Sequence, residues 1–217
     1  MLVDPNIGLV GCECSGAMRQ AFTARGFRMY SCDLDPAEDG ETLMHHTGDL
    51  LHYLARGQSF DIAIMHPECR YLAHSGVRWL YKDGRKENGK DQDRWDNMER
   101  AADFYAACWA VNADRVAIEN SEMHPYAKEA LRQRGVPIDD AYMIQTWELA
   151  TDEADNVQKK LHWLTRGLPK LQPVGVFDGS TARPECHHES PGPNRSKNRA
   201  RTRPSVAASI AAQWAQQ

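Results

Sequence analysis

Ile7-Gly8-Leu9-Val10-Gly11-Cys12-Glu13-Cys14-Ser15-Gly16-Ala17 is the stretch on which the fold turns. Its first half is apolar and uncharged, and reads as a short buried strand. Its second half is a tight turn with glycine. Ser15 is placed to cap a helix predicted to run to Arg25 and to stop at Gly26. A strand, a glycine turn and a helix let a ligand come close to the backbone. Phe27 to Cys32 predicts a second strand, which runs into Asp33. An acid at that place can accept hydrogen bonds from both ribose hydroxyls of a nucleoside cofactor. The same residues also suit an ordinary βαβ unit with a surface aspartate. Gly48-Asp49 precedes a short predicted helix from Leu51 to Arg56, so Asp49 is either a third cofactor contact or that helix's N-cap.

Further along, Phe60 to Met65 predicts a third strand that leads into His66-Pro67-Glu68-Cys69. A thiol just past a central strand, with Pro67 fixing the backbone before it, is a candidate nucleophile if a neighbour favours the thiolate. The alternative is a buried structural cysteine. Lys82 to Asp93 is nearly all charged or small and reads as a mobile loop. Trp95, Met98, Ala102, Tyr105 and Trp109 have helical spacing within a predicted helix from Arg94 to Val111. Arg115 to Ile118 predicts a strand ending at Glu119-Asn120. A carboxyl group there can act as an acid or as a partner to a heterocycle, or it can cap the following turn. Pro125 to Arg134 reads as a helix, Ala141 to Gln145 and Leu161 to Leu164 as strands, Leu168 to Arg203 as irregular, and Ser205 to Trp214 as a closing helix. Strands that alternate with helices imply an α/β fold, a largely parallel sheet with helices on both faces. In such folds ligands bind beyond the carboxyl ends of the strands. Cys12 to Gly16, Asp33, Cys69 and Glu119-Asn120 therefore gather on one edge of the sheet.

The chain has 217 residues, 41% hydrophobic and 26% charged, enough for one good-sized core. A single domain over 1–217 is expected. No apolar run reaches transmembrane length, and Met1 to Pro5 lacks the features of a secretory signal, so a cytoplasmic protein without a membrane partner is expected. Six cysteines include no Cys-x-x-Cys pair, which argues against a zinc ribbon. Glu185-Cys186-His187-His188-Glu189 has no second ligand cluster at metal-site spacing, so no metal is expected. Net charge is −4 and uneven. From Arg183 to Arg203 six basic residues face two acidic ones, +4 locally and −8 elsewhere. A basic strip on an acidic body suits a polyanion; a solvated loop is the alternative.

The order glycine turn, acid, Gly-Asp, Pro-x-Cys and Glu-Asn resembles that of the DNA cytosine-5 methyltransferases. Arg203-Pro204-Ser205-Val206-Ala207-Ala208 resembles their last motif, which returns to the cofactor pocket. The whole chain resembles small phage and prophage proteins of that kind, most of all in Ser75 to Leu80, Glu119 to Glu129 and Trp163 to Pro169. The resemblance implies a Rossmann-like S-adenosylmethionine-dependent methyltransferase fold. It implies S-adenosyl-L-methionine held by Cys12, Glu13, Cys14, Ser15, Gly16, Asp33, Asp49, Pro67, Ser205 and Val206. It implies Cys69 as the nucleophile at C6 of a flipped cytosine in double-stranded DNA, with Glu119 at N3 and the amino group. Arg78, Lys159, Lys160, Arg195, Lys197, Arg199 and Arg201 are then the expected nucleic-acid contacts of a monomer.

Three features depart from that pattern. Glu68 stands where the family has a second proline, and turned inward it would oppose the thiolate. Cys14 stands where the cofactor turn commonly has glycine. Gln158-Lys159-Lys160 only approximates a Gln-x-Arg-x-Arg segment. In place of a full target-recognition domain there is the irregular basic stretch 168–203, which implies short or relaxed sequence specificity. An RNA-directed or altered-donor relative, or a nucleic-acid-binding protein without turnover, are the other readings.

Overall fold

The computed structural model describes residues 6–185, Ser190, Gly192 and residues 195–216. Seven strands form one sheet: β1 (Ile7–Gly11), β2 (Arg28–Asp33), β3 (His45–Thr47), β4 (Phe60–Met65), β5 (Ala113–Asn120), β6 (Tyr142–Gln145) and β7 (Lys160–Arg166). Their order across the sheet is β3-β2-β1-β4-β5-β7-β6. The pairings β3-β2-β1-β4-β5 are all parallel. β7 runs antiparallel to both β5 and β6. The expected mostly parallel sheet is present, with one reversed strand that the sequence reading did not orient.

Helices cover both faces. α1 (Ala17–Thr23) and α6 (Pro204–Trp214) lie on one. There Met18 and Phe22 join Val206, Ile210 and Trp214 against Val10, Ile62, Ile64 and Ala117. Trp214 meets Trp163 edge to face, with centroids 5.2 Å apart. α2 (Leu50–Leu54), α3 (Gln92–Trp109) and α4 (Pro125–Gln133) lie on the other face, where Leu50, Tyr53, Met98, Ala102, Tyr105, Ala127 and Leu131 pack on Leu9, Ala63, Met65 and Ile118. Burial on both faces explains why β1 and β4 read as nearly unbroken apolar runs. Among the described residues no helix is long and apolar enough to cross a membrane.

The chain leaves β1 for β2 on one side and enters β4 on the other, so the strand order reverses between β1 and β4. The crevice beyond their carboxyl ends is the switch point at which open α/β sheets bind ligands.

Two stretches are more ordered than their composition predicts. Lys82 to Asp93 contains two 3-10 turns (Lys82–Gly84 and Lys86–Asn88), a bridge between Tyr81 and Lys90, and the first residues of α3. The stretch expected to be irregular after Leu168 contains α5 (Arg195–Ala200). α5 is too short and too polar to show a helical period, and ion pairs from elsewhere in the fold hold it. Of the Glu185 to Glu189 motif only Glu185 lies among the described residues.

Candidate active site at the carboxyl edge of the sheet

The turn after β1 is built around one buried carboxylate. Glu13 Oε1 accepts hydrogen bonds from the Ser15 hydroxyl and from the Ala17 N–H (3.1 Å), so it serves the amino end of α1. Glu13 Oε2 is buried with no protein partner. Gly16, not Ser15, stands at the N-cap, with φ 78°. A Cβ there would lie 2.3 Å from Asp39 Oδ2, so the turn needs glycine on both counts. Cys12 adopts a left-handed φ of 60° without being glycine, a conformation that persists only where the surroundings impose it. Burial pushes the Cys12 thiol well above its ordinary range, and Cys108, Asp33, Cys32 and Asp49 add to the effect. Two of the expected cofactor acids, Asp33 and Asp49, thus flank the end of β1. Asp33 Oδ1 accepts the Asp35 N–H at 2.9 Å. Asp49 also caps α2, accepting the His52 N–H at 3.0 Å.

On the same edge the loop after β4 and the end of β5 are joined twice. Buried Asn120 donates from Nδ2 to the Pro67 carbonyl at 2.9 Å, which fastens the loop that carries Cys69. His66 Nδ1 lies 3.4 Å from Glu119 Oε2, with side chains 10% and 15% exposed. Cys69 is half-buried, and its carbonyl accepts from Leu72 and Ala73 at 3.0 and 2.8 Å. Glu68 is exposed and lies 3.7 Å from Arg70, so the residue that departs from the family pattern faces solvent.

Glu119 lines a cleft together with His66, Lys159, Trp163, Arg201 and Val206. Burial alone would raise its carboxyl. The charge of Lys159, the hydrogen bond and charge of His66, and the charge of His162 outweigh burial and hold it below the usual carboxylate range. Val206 therefore returns to the edge through α6, on the Glu119 side. Ser205 is engaged in anchoring that helix: its N–H donates to Asp155 Oδ2 (2.8 Å), and its hydroxyl accepts the Thr151 N–H (3.2 Å).

The basic residues divide. Lys197 Nζ lies 2.8 Å from Asp35 and 3.1 Å from Glu38, and Arg201 lies 2.5 Å from Glu38. Hydrogen bonds to Asp35 and then Glu38 raise the Lys197 ammonium above its ordinary value. Cys14 Sγ is 3.9 Å from Glu38 Oε1, and Cys14, Asp33 and Asp35 place ligand atoms within 4.8 Å of one another. Lys197 already pairs with one of the three, Asp35. The segment from α5 to α6 therefore crosses from the acids after β2 to the Glu119 cleft. Arg195 begins α5, Arg199 is exposed on it, and Lys160 is exposed at the start of β7. Lys159 does not project freely: its Nζ donates to the Ala200 carbonyl at 3.2 Å beside the cleft.

Exposed Arg78 lies over the Trp79 ring at 4.3 Å. It has companions that sequence reasoning missed. Lys86 lies over Tyr81 at 5.8 Å, Lys90 over Trp95 at 4.1 Å and Arg94 over Tyr71 at 4.8 Å. The interleaving of basic and aromatic residues from Tyr71 to Trp95 was the available sign. His66 was missed as well. Its adjacency to Pro67 drew no attention, because its partner lies on another strand.

No protein-family model matches the chain, and no curated protein sequence matches it. Among solved structures, similarity extends to a protein described as a DNA modification methyltransferase encoded within an Escherichia coli prophage (9% identity, TM-score 0.46, 73% of this chain and 46% of that one). It extends also to a mutant DNMT2 of Spodoptera frugiperda (11%, 0.41, 77% and 53%) and to the Entamoeba histolytica methyltransferase EhMeth (9%, 0.40, 77% and 54%). The chain spans about half the length of these proteins.

Proposed function

We propose that the chain is an S-adenosyl-L-methionine-dependent DNA cytosine C5 methyltransferase of short or relaxed specificity, with Cys69 as nucleophile and Glu119 at the base's N3 edge. The observation that carries this reading is the double tie between the strand ends. Asn120 holds the Pro67 carbonyl and His66 meets Glu119, so the loop that carries Cys69 is fastened to the strand end that carries the buried carboxylate, which supports a shared site at the carboxyl edge of the sheet.

The turn after β1 fits the cofactor. The partnerless Glu13 Oε2 is an acceptor for its ammonium group, Asp33 for its ribose hydroxyls, and Asp49 stands beside them. Cys14, Ser15 and Gly16 complete the turn, and the uncharged thiol of Cys12 forms a wall. When bound, S-adenosyl-L-methionine supplies an electrophilic methyl group. The rest is the work of the chain. Pro67 and Asn120 fix the loop from which Cys69 adds to C6. Glu119 meets N3 and the amino group, and the addition makes C5 electron-rich. Loss of the C5 proton later expels the thiolate. The base edge must be free for this, which implies a flipped nucleotide when the substrate is duplex. Arg78 and the cations around it supply phosphate contacts, which position the strand without reading it.

A random-sequence duplex pool containing 5-fluorocytosine tests the reading, since fluorine at C5 cannot leave as a proton. With S-adenosyl-L-methionine present, a denaturation-resistant protein–DNA adduct is expected. Cys69→Ser should abolish it, while Cys12→Ser and Cys186→Ser should leave it. An adduct that persists in Cys69→Ser, or that maps to another cysteine, sinks the assignment.

A further inference from the structure

If Glu119 serves cytosine N3, a proton has to pass to the ring as sulfur adds, and the site holds that carboxyl in its ionised form. The proton needs a second holder. We propose that this holder is His66: the His66–Glu119 pair carries the proton that N3 takes when Cys69 adds, and recovers it when Cys69 leaves. The inference rests on the cytosine reading above.

The geometry supports it from several sides. His66 continues the face of β4 that carries Ile62 and Ile64, the side toward α6, and Glu119 continues the same face of β5 after Ala117. Nδ1 lies 3.4 Å from Glu119 Oε2. The ring is nine-tenths buried, lines the cleft, and meets Trp163 at 75° with centroids 6.1 Å apart. Its Nε2 is buried without a partner among the described residues.

Other charged or titratable groups surround Glu119: Lys159 before β7 and Arg201 and Arg203 leading into α6 line its cleft, while His162 on β7 and Tyr105 on α3 line the opposite face of the sheet with Asn120 and are coupled to Glu119 electrostatically. Lysine and arginine stay charged through neutrality. Burial pushes the Tyr105 hydroxyl far up and the His162 ring down, so both stay neutral. Of these groups, an imidazole in direct contact is the one able to give and regain a proton near neutral pH.

The step balances. Sulfur bonds to C6, the C5=C6 pair moves to C4=C5, and the C4=N3 pair moves to N3. His66 Nδ1 passes its proton to the Glu119 carboxylate, leaving neutral imidazole, and Glu119 hands that proton on to N3. After C5 has been substituted at the expense of the C4=C5 pair, C4=N3 is restored. The C5 proton then passes to water, C5=C6 re-forms, the C6–S pair returns to sulfur, and the N3 proton goes back through Glu119 to His66. His66 acts through Glu119 and is a positioning residue.

The test uses the full chain with carbon-13-labelled glutamate carboxyls, free of cofactor and DNA. The Glu119 resonance is identified by its loss in Glu119→Gln. Its titration should move upward in both His66→Asn and His66→Phe; an unmoved midpoint overturns the coupling. The second arm follows adduct formation on the 5-fluorocytosine pool against pH. Asparagine can replace the Nδ1 hydrogen bond but cannot carry the proton. Both variants should therefore be slower by about 100-fold or more and lose the alkaline limb of the parent's profile. Parent-like rate and profile in His66→Asn would reduce the pair to a structural hydrogen bond and overturn the proposal. If the parent forms no adduct, the cytosine reading fails and takes the proton route with it, while the titration arm still reports on the pair itself.

Discussion

Two stretches of this chain are rich in basic residues and hold them in different ways in three dimensions. In residues 195–203, Lys197 and Arg201 rest on Asp35 and Glu38, and Arg203 on Glu185 at 2.8 Å. In residues 78–94, Arg78, Lys86, Lys90 and Arg94 rest on aromatic rings. A carboxylate cancels the charge it meets. A ring attracts a cation through its quadrupole and leaves the net charge in place. Local charge density therefore misleads about which stretch is available to a polyanion. Two of the acids that neutralise the carboxyl-terminal stretch, Asp35 and Glu38, lie more than a hundred residues away in sequence, after β2.

The largest effect should follow from removing the ring-mounted cations. Arg78→Ala, Lys86→Ala and Lys90→Ala together should weaken DNA binding by about 100-fold near 0.1 M salt and flatten the log–log salt slope by roughly two to three. Fluorescence anisotropy across a salt series measures both. A slope equal to the parent's would break the comparison. A smaller change is expected from Lys197→Ala with Arg201→Ala. The DNA slope should move by less than about one, and stability in urea should drop by only about 0.2–1 kcal/mol per pair. A slope change as large as that of the first variant would return the carboxyl-terminal stretch to the role its composition suggests.

The smallest effect concerns pH. Slight burial raises the Glu38 carboxyl, but hydrogen bonds and charge from Lys197 and Arg201 bring it below its ordinary 4.5. A depressed carboxyl contributes stability in full above its unfolded value and loses it as pH falls through the folded one. The attachment of α5 should thus be constant from about pH 6 to 8 and loosen below about 4.5. Amide exchange of residues 195–201, corrected for intrinsic rates, should show protection lost only on the acid side.

Much of the frame is legible in the sequence, and the gaps have physical causes. β4 is read to the residue because Phe60 to Met65 is apolar and bounded by polar neighbours. α3 begins two residues before its predicted start because Asp91, accepting the Arg94 N–H, is the true cap. β3 escapes notice because His45-His46-Thr47 is short, polar and at the sheet edge. The reversal of β7 is invisible because an apolar run carries no direction; only its pairing with β5 reveals it. At the site, Cys69, Glu119 and Asp33 stand out because each lies at or just past the end of a strand. His66 and the role of Lys159 beside Glu119 depend on contacts across strands, which one-dimensional spacing does not encode.

The pleat at the end of β5 separates two tasks by a single residue. Glu119 points toward α6 and the cleft with Val206, whereas Asn120 points to the opposite face, near Tyr105, and grips the Pro67 carbonyl. Writing the pair in reverse, as Glu119→Asn with Asn120→Glu, would keep composition, charge and length. It would nevertheless send the carboxylate to the wrong side of the sheet and remove the clasp from the Cys69 loop. The order of those two letters is thus a statement of handedness: which way the acid looks, and which loop its neighbour holds still.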